Sequence, residues 1–276
     1  MNSPVISSAW LLENLHNPQI RIADCRFVLG QPGAGRSAYE TGHIEGAVFL
    51  DLESDLSSPK HPDGIGGRHP LPDPETLAAK LGALGIGNQH TVIAYDDPST
   101  GQGFYAAHLW WLLRYLGHDA VHVLDGGIAA WTTPLETTIP QHPPTMFTAT
   151  PRPQMLADVA QVASTSAKLF DSRAPERYRG DNEPLDRKAG HIPTAQNLFW
   201  ASALQDGFWK SPAAQRERFN LETAEGTIFY CGSGVSACAN LLALELAGLS
   251  GAKLYAGGWS DWVSDDSHPI VVGKKP

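Results

Sequence analysis

Short apolar runs alternate along the chain with stretches of helical period. Thr91-Val92-Ile93-Ala94-Tyr95, Val121-His122-Val123-Leu124, Thr227-Ile228-Phe229-Tyr230 and Ala252-Lys253-Leu254-Tyr255 read as buried strands. Leu77-Ala78-Ala79 with Leu81 and Leu84, the series Ala106, Leu109, Leu112, Leu113, Leu116, and the series Ala237, Leu241, Leu242, Leu244, Leu246 read as helix faces. Strand-helix-strand alternation predicts an α/β fold of mainly parallel sheets with helices on both faces. In such sheets ligands bind outside the carboxyl ends of the strands.

The pattern occurs twice. Ile22-Ala23-Asp24-Cys25-Arg26 is echoed by Leu169-Phe170-Asp171-Ser172-Arg173, an apolar strand end followed by Asp-x-Arg. Gly42-His43-Ile44 follows the first copy and Gly190-His191-Ile192 the second, each leading into a short apolar run. The strands ending at Tyr95-Asp96 and Tyr230-Cys231 come next, and Gly126-Gly127 with Trp131 is matched by Gly257-Gly258 with Trp259 and Trp262. Matched features in one order at similar spacing predict a duplicated domain. We place the domains at 1–133 and 154–276, joined by an extended linker, 134–153, where Pro134, Pro140, Pro143, Pro144, Pro151 and Pro153 crowd a segment without period.

Composition narrows the partners. The 276 residues carry 20 Lys and Arg against 29 Asp and Glu, a net charge of −9, and no basic run interrupts the acidic balance. Nucleic acid is therefore not expected as a partner, because its affinity rests on phosphate neutralisation by Lys and Arg. At 42% hydrophobic and 18% charged the chain can bury a sizeable core. The opening residues lack a basic stretch and no segment is apolar for a membrane span, so we expect a cytoplasmic protein with no membrane partner. Cys25, Cys231 and Cys238 cannot all pair and lack the spacing of a zinc site, which predicts no metal and a reducing compartment.

Cys231 differs in context from the other two cysteines. It ends a strand, opens the loop Cys231-Gly232-Ser233-Gly234-Val235-Ser236 and precedes the helix starting near Ala237. Glycines that let backbone N–H groups point inward, with a helix N-terminus behind them, favour an anion at the loop's centre. A thiolate is such an anion, so we expect Cys231 to be the nucleophile, held acidic by that field. Cys25 on its strand and Cys238 on its helix read as small apolar residues of the core.

The duplicated Asp-x-Arg, Gly-His-Ile and Gly-Gly blocks, with one loop cysteine in the second copy, resemble the tandem rhodanese-type sulfurtransferases over nearly the whole chain. The loop Cys231 to Ser236 is similar to the Cys-Gly-Ser-Gly-Val-Thr loop of their 3-mercaptopyruvate branch, with Ser236 in place of Thr. The resemblance implies two tandem rhodanese-like domains, catalysis in the C-terminal one and a silent loop in the N-terminal one, where Asp96 stands at the cysteine position. It implies no cofactor, a small-molecule sulfur donor, and a small thiol, cyanide or reduced thioredoxin as acceptor. It also assigns Cys231 and Ser233 to catalysis with Asp51 and His69, Glu53 being the alternative to Asp51, and gives Gly232, Gly234, Val235 and Ser236 to the substrate. Arg179, in Tyr178-Arg179-Gly180, matches the family's carboxylate-binding arginine, whose fork suits a single carboxylate. The family's second arginine is absent after Glu183-Pro184, so either Arg187 reaches in from two residues later or there is one clamp. His43 and His191 recur in both halves and read as parts of the shared fold.

Gly232 and Ser233 put no cation in the loop, so mercaptopyruvate, charged at its far end, is expected to be a better donor than the thiosulfate dianion. Thiosulfate sulfurtransferase is the alternative activity. A phosphatase of similar fold would need an arginine at position 237, which is alanine. A silent binding module would have no use for an intact loop cysteine.

Overall fold

A computed structural model describes residues 3–100 and 103–274. In chain order the elements are β1 (Val5–Ile6), α1 (Ser8–Glu13), β2 (Ile20–Asp24), α2 (Ala34–Thr41), β3 (Ala47–Phe49), α3 (Pro74–Ala83), β4 (Thr91–Tyr95), α4 (Tyr105–Tyr115) and β5 (Val121–Leu124). The second half adds α5 (Val159–Ser164), β6 (Leu169–Asp171), α6 (Pro175–Arg179), β7 (Gln196–Asn197), the hairpin β8 (Leu204–Gln205) and β9 (Phe208–Trp209), then α7 (Pro212–Phe219), β10 (Ile228–Tyr230), α8 (Ala237–Leu246), β11 (Lys253–Leu254) and α9 (Gly258–Trp262).

These elements form two compact units, each built on a parallel sheet flanked by helices. The first sheet has the order β1-β5-β4-β2-β3 and the second β11-β10-β6-β7. All their strand pairs are parallel, with Asp24 beside Tyr95 in one and Asp171 beside Tyr230 in the other. Strands of such sheets are buried on both faces, which is why β4, β5 and β10 read as unbroken apolar runs. The ends of α3 follow its sequence: Asp73 accepts from Thr76 N at 2.8 Å and Pro74 opens the first turn, where its missing N–H costs nothing.

The repeated motifs build the same buried frame in each unit. Asp24 accepts from Arg26 Nη2 at 2.6 Å and from the Tyr95 hydroxyl at 2.7 Å. Asp171 binds Arg173 Nη2 at 2.5 Å in the same manner. Arg26 and Arg173 each also donate to the carbonyl of the glycine in Gly-His-Ile, Gly42 or Gly190, at 2.7 Å. His43 stacks on Tyr39 and His191 on Tyr178, each with its Nδ1 2.8 Å from that tyrosine's carbonyl. These polar groups are thus satisfied within the frame, as burial requires.

The unit boundaries differ from the expected ones. The first unit comprises Met1–Ser57, Pro72–Arg152 and Leu204–Trp209, and the second Ser58–Leu71, Pro153–Ala203 and Lys210–Pro276. The proline-rich stretch up to Arg152 is strapped to the first unit by Thr145 N to Gly82 O, Thr150 N to Leu116 O and Arg152 N to Tyr115 O. Phe147 is buried there. Proline removes some of the stretch's own donors, yet these N–H groups find fixed partners, so the extended stretch packs along the first unit. The segment Ser58–Leu71, carried by the N-terminal half, is part of the second unit, and the β8–β9 hairpin is part of the first.

Candidate active site

Cys231 directly follows β10, with only 2% of its surface exposed. Its carbonyl accepts from Trp259 N at 2.8 Å and that of Gly232 from Ser260 N at 2.9 Å, so the start of α9 anchors the loop. Two glycines make this approach possible. A Cβ on Gly234 (φ +76°) would lie 2.3 Å from Ala256 O, and one on Gly258 (φ +61°) 2.7 Å from Cys231 O. Only glycine adopts both the backbone angle and the close contact. Trp259 and Trp262 are buried in the second unit's core.

The other wall of the loop comes from the segment Ser58–Leu71. Gly66 N donates to Asp261 Oδ1 at 2.7 Å and Arg68 N to Ser260 Oγ at 3.0 Å, which pins this segment to α9. His69 then lies with Nδ1 2.7 Å from Ser233 Oγ. Both side chains are buried. Of the residues expected in the site, Cys231, Ser233, His69, Gly232, Gly234 and Val235 gather at this loop, and Ser236 stands before the first turn of α8. Asp51 belongs to the first unit, where its Oδ1 accepts from Glu53 N at 2.9 Å and Ser54 N at 3.0 Å, so this carboxylate holds its own turn.

The arginines are arranged differently from the expectation. Arg179 is turned to Asp181, 2.7 Å away, while Arg177 faces the loop. Residues two apart on a helix point about 200° apart, so only one of the pair can face a given side. Arg187 donates to the carbonyls of Val263 and Ser264 and to Asp266, which ties it to the end of α9. It lines a cavity of about 400 Å³ together with Lys60, His61, Arg68 and Asp186.

The loop is neutral in sequence but not in its surroundings. The three heavy atoms nearest to a Cβ built on Gly232 are all guanidinium nitrogens: Arg68 Nη2 at 2.6 Å and Arg177 Nη2 and Nη1 at 3.4 and 3.5 Å. The loop's own residues carry no cation, but these two side chains bring cations beside it. They are held by carboxylates. Arg177 binds Glu183 at 2.8 Å and Asp186 at 3.1 Å, Arg68 binds Asp186, and Arg173 reaches Glu183 at 3.2 Å. Burial opposes the charge of Arg173, but Asp171 and Glu183 outweigh it and hold the guanidinium above its ordinary pKa.

Arg68, Arg177, Glu183 and Asp186 were not selected from the sequence. The signal was the run Asp63-Gly64-Ile65-Gly66-Gly67 before Arg68-His69, a glycine-rich turn followed by two polar residues. Cys238 and Cys25 are deeply buried, and burial pushes both thiols well above their ordinary range. Neither suits a nucleophile at neutral pH.

Known proteins resemble the chain over nearly its whole length. A family model described as a rhodanese-like domain matches residues 7–134 and 155–265. A Pseudomonas aeruginosa protein named "Probable 3-mercaptopyruvate sulfurtransferase" is 41% identical, covering 99% of each chain. The thiosulfate sulfurtransferase of Cricetulus griseus is 34% identical, over 94% of this chain and 91% of its own. Among solved structures, that of SseA from Escherichia coli, titled as a 3-mercaptopyruvate sulfotransferase of "Rhodanese" fold, superposes with a TM-score of 0.80 at 32% identity. The match covers 93% of this chain and 99% of that one.

Proposed function

Since both halves of the chain belong to the rhodanese-like family, and its full-length relatives are sulfurtransferases, we propose that it moves sulfur from 3-mercaptopyruvate through a Cys231 persulfide to a thiol or cyanide. The observation that carries this reading is the setting of Cys231 at the mouth of a loop whose Gly232 faces guanidinium nitrogens alone at closest range. A thiolate and an anionic donor are both favoured there.

In this reading the Cys231 thiolate attacks the donor's sulfur. The new S–S bond forms as the carbon–sulfur bond breaks, and its electron pair leaves with pyruvate as the enolate, which takes up a proton. An acceptor thiolate then attacks the outer sulfur and Cys231 departs as the thiolate, a double displacement. Ser233 and His69, 2.7 Å apart, form the proton relay beside the sulfur. Arg177, placed against the loop where Arg179 is not, grips the donor carboxylate.

Among the described residues no helix is long and apolar enough to cross a membrane. The three cysteines are free and buried, which supports a reducing compartment such as the cytoplasm. Reduced thioredoxin and small thiols are the acceptors that such a compartment supplies. The test is mass spectrometry of the protein after exposure to 3-mercaptopyruvate. One added sulfur on the Cys231 peptide, with pyruvate released in equal amount, is expected; an unmodified peptide with pyruvate still formed overturns the persulfide route.

A further inference from the structure

We propose that Arg68 is a specificity-determining residue, admitting donors whose negative charge lies next to the transferred sulfur, of the thiosulfate and thiosulfonate class. The inference rests on sulfur transfer through Cys231 and extends it to the charge of the donor. Arg68 Nη2 is the nearest atom to the Cβ position of Gly232, at 2.6 Å, closer than either nitrogen of Arg177. Its backbone is fixed by Ser260 and its Nη1 by Asp186, so the guanidinium is oriented before any donor arrives. Its Nε is buried without a hydrogen-bond partner among the described residues. The side chain is 23% exposed, so water and salt only partly screen its charge.

The network around it contains three arginines, Arg68, Arg173 and Arg177, and three carboxylates, Asp171, Glu183 and Asp186. Its formal charges cancel, but its ends are not alike: the face against Gly232 presents guanidinium nitrogens. A donor meets a positive surface there although the site as a whole is neutral.

The two donor classes use this surface differently. Mercaptopyruvate carries its charge on a carboxylate remote from sulfur and depends on Arg177. Thiosulfate carries its charge on the group bonded directly to the sulfur that moves. The Cys231 thiolate attacks that outer sulfur, the donor's S–S bond breaks, and sulfite leaves with the electron pair while Cys231 keeps the persulfide. Negative charge grows on the departing sulfite beside Arg68, so the guanidinium acts more strongly in the transition state than before it.

Steady-state kinetics with thiosulfate and with 3-mercaptopyruvate on Arg68→Gln and Arg68→Lys test the assignment. Arg68→Gln is expected to lower kcat/KM for thiosulfate roughly 10- to 100-fold, the loss of one charge-assisted hydrogen bond. The mercaptopyruvate value should fall less, so that the thiosulfate-to-mercaptopyruvate ratio drops roughly 10-fold, and Arg68→Lys should keep most of the thiosulfate activity. Gly232→Ala, whose methyl would displace Arg68 Nη2, should shift the donor ratio in the same direction. An unchanged ratio, including equal loss with both donors, overturns the role of Arg68. Persulfide mass on Cys231 after mercaptopyruvate, measured in the same variants and in the unsubstituted protein, separates that outcome from failure of the sulfur-transfer reading, in which the unsubstituted protein would take up no sulfur.

Discussion

The two halves share a frame and differ in what stands at the end of one strand. Tyr95 is followed by Asp96 and Tyr230 by Cys231, and the carbonyl of each following residue accepts from the backbone of the Gly-Gly turn: Ile128 N at 2.9 Å in the first unit, Trp259 N at 2.8 Å in the second. Asp96 turns its carboxylate inward to Ala106 N at the start of α4, 3.0 Å away, and so closes the place where a nucleophile would be. The halves also divide differently the stretch before the histidine, which is 19 positions from Asp24 to His43 and 20 from Asp171 to His191. His43 lies four positions after Tyr39, and His191 thirteen after Tyr178. The stretch after Tyr178 carries Glu183 and Asp186, the carboxylates that hold Arg177 and Arg68 against the loop. A duplicated fold thus becomes a site through one strand-end residue and the charged loop after Tyr178 that supports it, while the frame stays the same.

The comparison is tested most severely by exchanging the strand-end residues. Cys231→Ser should lower sulfur transfer by more than about a thousandfold, as expected when the covalent nucleophile is removed. Asp96→Cys in that background should restore nothing, because Asp97-Pro98-Ser99 follows it where Gly232-Ser233-Gly234 follows Cys231. Recovery of transfer, followed by persulfide formation at position 96, would break the distinction between the halves.

The next largest effect concerns the shared frame. Arg173 is 1% exposed and bridges Asp171 and Glu183, whereas Arg26 is 12% exposed and holds Asp24 and Gly42 O. Arg173→Ala leaves the buried Asp171 carboxylate without its guanidinium and Glu183 with Arg177 alone, and should cost about 3–5 kcal/mol in urea unfolding of the second unit. Arg26→Ala should cost the first unit less. Equal losses would mean that Glu183 adds nothing to the frame.

Within the second half, Arg177→Ala should reduce kcat/KM for mercaptopyruvate by about one to two powers of ten, the usual loss of a charged hydrogen-bond pair of about 1.5–3 kcal/mol. Arg179→Ala should leave it within about threefold, since its partner is the exposed Asp181. The reverse order would return the carboxylate clamp to Arg179.

The smallest effect sharpens the account of the silent half. Burial pushes the Asp96 carboxyl up to about 7, against the pull of the Ala106 and Tyr105 amides. The folded protein therefore keeps a proton that the unfolded chain loses near the ordinary carboxylate pKa. Its stabilising contribution is complete at acid pH and is lost as pH rises through about 7. Asp96→Asn should remove this loss, gaining on the order of 1–3 kcal/mol relative to the unsubstituted protein between pH 5 and pH 8. Thermal melts at the two pH values measure the change, and a pH-independent difference would place the titration elsewhere.

Much of this molecule was legible in the sequence because the relevant physics is local. Apolar runs buried on both faces marked β4, β5 and β10, helical spacing marked α3, α4 and α8, and the repeated Asp-x-Arg and Gly-His-Ile motifs marked a frame whose parts lie on neighbouring strands. Cys231 was legible for the same reason, since strand, glycine-rich loop and helix follow one another directly. What only the tertiary structure decided is which charges meet. The phase of a five-residue helix turned Arg177 and not Arg179 to the loop. The packing of Ser58–Leu71 into the second unit brought Arg68 more than 160 positions along the chain to Gly232. Ion pairs depend on distance in space and on burial, and neither is written in spacing along the chain, so a loop neutral in its own residues acquired a positive face from elsewhere.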